Sequence, residues 1–205
     1  MRVPRLADHE QRRREITGAA RRVIAAGGLE TATFQAVAAE AGVSVRLLQY
    51  YFGTKRELLL ATHRAVLDDA AGRFMRHLAA LGDEPEPRAA LRVIMHELLP
   101  LDEARRANSI VLANFHTAAI TGPDVVAEDT VGGARLLARV LAEHLHRAGC
   151  PDADRDGELL AVAVFGLGQG MLTYLHTPDE ARALLDHLLE RTLASARSPR
   201  RKAAR

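Results

Sequence analysis

The chain has one cysteine and no tryptophan in 205 residues, and its aromatic side chains amount to only 4%. A lone thiol, Cys150, excludes an internal disulfide, so the sequence favours a reducing, intracellular setting. Hydrophobic residues make up 48%, dominated by Ala, Leu and Val. With so few aromatics this composition suits packed helices better than strands, and essentially no β-structure is expected. No apolar run approaches the ~18 residues of a membrane span, and the N-terminus lacks a signal-peptide core, so a soluble cytoplasmic protein is expected. A nucleophile elbow, a Walker loop and a metalloprotease signature are all missing, so no enzyme is expected. No repeat of fixed period is visible.

What is present is a segregation of charge. Residues 1–60 carry ten Lys or Arg against six Asp or Glu, giving +4. Residues 61–195 carry thirteen against twenty, giving −7, and residues 196–205 carry five against none, giving +5. A basic head attracts phosphates and releases counterions on binding, while an acidic body discourages non-specific attachment to a duplex.

The basic head also contains the most informative segment, residues 33–58. Thr33 is suited to cap a helix, and Phe34, Val37, Ala38 and Ala41 recur at helical spacing as an apolar stripe. Gly42 permits a left-handed turn and Val43 can plug the corner. Ser44 then restarts the chain as a second cap, with Leu48 and Phe52 facing a core while Val45, Arg46, Gln49 and Tyr50 lie on other faces. The spacing predicts a helix-turn-helix whose second helix reads DNA. Thr54-Lys55-Arg56-Glu57 follows at once as a capping box that opens another helix.

AGVS at 41–44, LLQYYF at 47–52 and TKRELL at 54–59 together resemble the tetracycline-repressor (TetR) family. The resemblance covers about the first quarter of the chain directly. The remainder, from LPLDEARRANS through ALLDHLLERTL, is similar to the family's BetI-type C-terminal domain. The resemblance implies an all-α fold of about nine helices, with a three-helix DNA-binding head and a larger helical body for ligand binding and dimerisation. The head is expected over 1–55, the body over 56–196, and a basic disordered tail over 197–205.

The periodicity predicts helices near 9–26, 33–41, 44–52, 54–80, 88–99, 102–120, 123–148, 155–175 and 179–196. Proline breaks beside acidic residues punctuate the body at Leu99-Pro100-Leu101-Asp102, Thr121-Gly122-Pro123-Asp124, Gly149-Cys150-Pro151-Asp152 and Thr177-Pro178-Asp179.

The resemblance also assigns roles. Val45, Arg46 and Gln49 become the outward residues of the recognition helix, and Tyr50 and Tyr51 match the family's aromatic pair. Thr33 and Ser44 sit at helix starts, and Lys55 matches a phosphate-binding lysine. Arg46 has the geometry to read guanine and Gln49 adenine. Both depart from the family's usual residues, which leaves base preference open. The run Arg12, Arg13, Arg14 reads as a solvated face. An effector pocket in the body is implied, with Met75, Met95, His96, Asn114, Phe115, His116, Phe165, Met171 and Tyr174 as candidate lining residues. The BetI-type likeness suggests a cationic effector such as choline, although few aromatics and no tryptophan are poor material for a cation cage.

The implied function is a ligand-responsive transcriptional regulator, a repressor released from a palindromic operator by a small molecule. It would act as a homodimer paired through its last two helices. The rival from another class is a ligand-independent architectural DNA-binding protein.

Three other patterns carry no chemistry. Residues 152–157 imitate a calcium loop, but its twelfth position is Ala163 where a glutamate is needed. Gly166, Gly168 and Gly170 lie in one apolar helical run with no strand before them, so they suit close helix packing rather than a nucleotide. His144 and His146 are two apart and diverge on a helix. No cofactor or metal is expected.

Overall fold

The computed structural model describes residues 4–121, 125 and 127–197. Among these, nine α-helices and one short 3₁₀ turn, Leu29–Thr31, form the fold, with no strand. The helices are α1 (Pro4–Gly27), α2 (Phe34–Ala41), α3 (Val45–Phe52), α4 (Lys55–Ala79), α5 (Pro87–Glu97), α6 (Glu103–Thr121), α7 (Ala127–Arg147), α8 (Ala153–Leu172) and α9 (Pro178–Arg197). Gly122, Pro123 and Asp124 of the expected turn, and the basic tail from Ser198, lie outside the described residues.

Two boundaries depart from the periodicity in an instructive way. Helix α1 starts at Pro4 instead of residue 9. Proline at a first helical position sacrifices no intrahelical bond, so the helix can begin there. Helix α8 stops at Leu172, three residues before the expected end, because Tyr174 turns into the left-handed region at φ 60. There the Leu175 amide reaches the Gly170 carbonyl at 2.8 Å and the Tyr174 amide reaches Met171 O at 3.3 Å. These two bonds form the Schellman closure that most helices complete with glycine.

The chain packs as two units, Met1–Asp69 with Asp102–Thr130, and Ala70–Leu101 with Val131–Arg205. The division falls within α4 and within α7, so the start of α4 and all of α6 belong with the head beyond residue 55. The first core explains why. Ile16, Ala20 and Ile24 of α1, Val37 of α2, Leu48 and Phe52 of α3 and Leu58, Leu59 and Val66 of α4 are buried with Val111 and Phe115 of α6. Each fully buried aliphatic or phenyl side chain contributes roughly 1.5–3 kcal/mol, so α6 is an integral part of this unit.

The second core gathers Leu91, Ile94, Met95 and Leu99 with Leu137, Leu141 and Leu145 of α7, Leu160 and Val164 of α8, and Leu185, Leu189 and Leu193 of α9. Polar pairs fasten its flank, where Arg92 meets Asp186 at 2.8 Å and Arg88 meets Glu190 at 2.6 Å. No helix among the described residues is long and apolar enough to cross a membrane.

Candidate nucleic-acid interface

The site grows from three helix starts in succession. Thr33 Oγ1 accepts the Ala36 amide at 3.1 Å and opens α2. Helix α2 ends at Gly42, whose φ of 66 and ψ of 32 suit glycine's freedom from a Cβ clash. The Val43 amide then donates to Ala38 O at 2.9 Å and Gly42 to Ala39 O at 3.2 Å, closing a tight corner. Ser44 Oγ accepts the Leu47 amide at 3.2 Å and opens α3. Finally Thr54 and Glu57 cap each other: the Thr54 amide reaches Glu57 Oε2 at 2.9 Å and the Glu57 amide reaches Thr54 Oγ1 at 3.2 Å. This reciprocal box satisfies donors that the first turn of α4 would otherwise leave open.

Helix α3 is two-faced. Leu48 and Phe52 are buried, at 0% and 4% exposure, and hold it in the head core. Arg46, Gln49 and Tyr50, spaced i, i+3 and i+4, share the opposite, exposed face, with Tyr50 at 75%. Val45 is half-buried against the core and Thr33 and Ser44 are exposed. Lys55 is half-buried in the first turn of α4, its Nζ 3.6 Å from Glu30 Oε2. Thr33, Ser44, Arg46, Gln49 and Tyr50 are thus exposed on the first unit, and Lys55 is half-buried there.

Tyr51 is half-buried and points into a contact that sequence reasoning missed. Its ring lies 4.6 Å from that of His9, and its carbonyl accepts Arg13 Nη1 at 2.7 Å. The Arg13 guanidinium also stands 4.6 Å from the Phe52 ring centroid. The expectation that Arg12, Arg13 and Arg14 form a solvated face is therefore corrected at Arg13. A signal existed: Arg13 lies three residues before Ile16 and seven before Ala20, in the centre of the buried stripe of α1.

The effector candidates divide between the two units. Phe115 is fully buried in the first unit, its ring 4.8 Å from that of His63, while Asn114 Nδ2 donates to Ile110 O at 2.9 Å. Burial holds the neighbouring His116 below the ordinary histidine range, and burial, assisted by His116 and opposed by Asp129, does the same to His63. In the second unit Met95 and Met171 belong to the core, whereas Met75 and Tyr174 are exposed at 58% and 84%. His96 Nε2 stands 3.0 Å from Asp186 Oδ1 but off the hydrogen-bond line, and burial lowers its pKa against the pull of that carboxylate. Phe165 alone of the nine lines the open groove of about 800 Å³ between α7 and α8. Among the described residues no group of three or more His, Cys, Asp or Glu is placed to hold a metal.

An all-helical head with a capped helix-turn-helix, an exposed polar recognition face and a separate helical core defines a DNA-binding regulator. Comparison with known proteins gives the lineage. Residues 16–62 match the model for bacterial regulatory proteins of the tetR family. The HTH-type transcriptional regulator BetI of Agrobacterium fabrum is 31% identical over 80% of this chain and 79% of its own length. BetI of Burkholderia thailandensis is 40% identical across a shorter alignment, 45% of this chain and 47% of that protein. A transcriptional regulator of Rhodococcus sp. Rha1 superposes with a TM-score of 0.78 at 31% identity, covering 89% of this chain and 96% of that one. The chain belongs to the TetR family of transcriptional regulators.

Proposed function

We propose that this protein is a dimeric, ligand-responsive repressor that binds a palindromic operator in the cytoplasm. The observation that carries the reading is the face of α3: Arg46, Gln49 and Tyr50 stand exposed while Leu48 and Phe52 anchor the helix. In this reading α3 enters the major groove, Arg46 and Gln49 meet base edges, and Thr33, Ser44, Tyr51 and Lys55 hold the flanking backbone.

Pairing of two copies is supported by apolar side chains left in solvent on the last two helices. Leu159 and Val162 of α8 are 61% and 68% exposed and Leu184 of α9 is 46% exposed. An isologous contact there would make two heads address half-sites about one helical turn, roughly 34–36 Å, apart. The ligand response draws on the BetI relatives and on a further likeness, the multidrug binding protein EbrR complexed with imidazole, at 25% identity and a TM-score of 0.61. A small molecule acts by favouring one of two head separations.

The test is selection of bound sequences from random duplex DNA, followed by titration of the winning duplex with choline, imidazole and larger organic cations. An enriched palindrome with half-sites one turn apart, released by one of these compounds, is the expected result. Steep salt dependence without any enrichment would instead mark an architectural protein and sink this reading.

A further inference from the structure

We propose that Arg13, assisted by His9, is a positioning residue for DNA recognition that sets the roll of α3 from a distance in sequence. The inference rests on the reading that α3 enters the groove. Helix α3 has only eight residues, and its two buried anchors, Leu48 and Phe52, lie on a single line along it, with Val45 and Tyr51 only partly buried against the same core. Two anchors on one line fix a helix's depth better than its rotation about that line.

Arg13 supplies the missing constraint at the C-terminal end. Its Nη1 donates to Tyr51 O at 2.7 Å, a carbonyl in the last turn, where the helix leaves acceptors open. A cation placed there also complements the negative end of the helix dipole. The same guanidinium faces the Phe52 ring at 4.6 Å, so one side chain grips a backbone carbonyl and the neighbouring aromatic anchor.

His9, one helical turn earlier on the same stripe of α1, extends the grip. Its ring packs on Tyr51 at 4.6 Å, and Tyr51 meets Tyr50 edge-on at 5.4 Å and 88°. The exposed Tyr50 ring is thus buttressed through Tyr51 by a residue of α1. Thr17, a further turn along, is buried and bonds Arg13 O at 3.1 Å, which steadies the base of the arginine.

Arg13 is therefore committed to the protein, and its removal should affect site selection more than general attraction to phosphate. The experiment uses the full-length protein and the duplex it selects, with a scrambled duplex as control, each titrated across a salt series. Arg13→Gln is expected to lose at least tenfold in affinity for the selected duplex. Affinity for the scrambled duplex, and the slope of log affinity against log salt, should stay as in the wild type. Arg13→Lys should recover most of the loss, because an ammonium can still donate to Tyr51 O.

Equal losses on both duplexes, with a salt slope shallower by about one, would make Arg13 a direct phosphate contact and overturn the proposal. Unchanged affinity for the selected duplex would overturn it as well. If Arg13→Gln does not fold, His9→Ala decides: a threefold or greater loss confined to the selected duplex supports the proposal, and no change refutes it. Should the wild type select no sequence at all, the parent reading fails and takes this one with it.

Discussion

Gly157 of α8 passes so close to α7 that a Cβ built on it would lie 2.7 Å from the Ala138 carbonyl oxygen and 2.9 Å from the Ala142 amide nitrogen. Both obstacles are backbone, so neither can swing aside as a side-chain tip could. Gly157→Ala should therefore part the two helices and destabilise the fold by about 1–3 kcal/mol, despite the higher helix propensity of alanine. Chemical denaturation of both proteins checks this. Equal or greater stability of the variant would show that the crossing is looser than described.

Tyr174 presents the opposite case. It holds a left-handed conformation at φ 60 with its side chain 84% exposed, so the strain is not offset by burial. Tyr174→Gly should relieve about 1 kcal/mol. In a chain of this size that raises the thermal midpoint by roughly 2–4 °C. A lowered midpoint in a melting curve would contradict the assignment.

Stability should fall on the acid side of neutrality. Burial holds His63, His96, His116 and His144 below the ordinary histidine value. Each therefore binds its proton more readily in the unfolded chain. Their contribution is fully present above the unfolded value of about 6.5 and is lost as pH falls through it towards the lower folded values. Thermal midpoints measured from pH 7.5 to 5.5 should decline, and His63→Leu should decline less steeply than the wild type. Parallel curves would remove His63 from the account.

Substitutions on the recognition face should separate by role. Arg46→Ala should cost about 1–3 kcal/mol on the selected duplex and relax preference at one base position per half-site. Lys55→Ala should weaken all sequences alike and reduce the salt slope by about one per head. Repeating the sequence selection with each variant tells the two patterns apart.

The helix-turn-helix was legible because its determinants are local. Thr33, Gly42, Ser44 and the Thr54 to Glu57 box each act within a few residues, and the structure completes the bonds that their types allow. Arg13 was obscured because the carbonyl it bonds lies 38 residues away, and a run of three arginines looks uniform until the stripe of α1 picks out its centre. Tyr174 was hidden for another reason. The position asks for glycine, so a tyrosine there gives no warning of a helix end. The effector candidates mix core and exposed positions, as with Met95 and Met75, because residue type alone does not say which face of a helix a methionine or phenylalanine occupies.

The hydroxyl caps at Thr33 and Ser44 have a directional consequence. Each oxygen commits a lone pair to an amide of its own helix, at 3.1 and 3.2 Å, which leaves its proton free to point outward. A hydroxyl is donor and acceptor at once, whereas a carboxylate only accepts. Aspartate at residue 44 would start α3 equally well, yet it would present bare negative charge to an approaching phosphate. Ser44→Asp should thus leave the melting curve in place while abolishing DNA binding, separating the grammar of the fold from the message it carries.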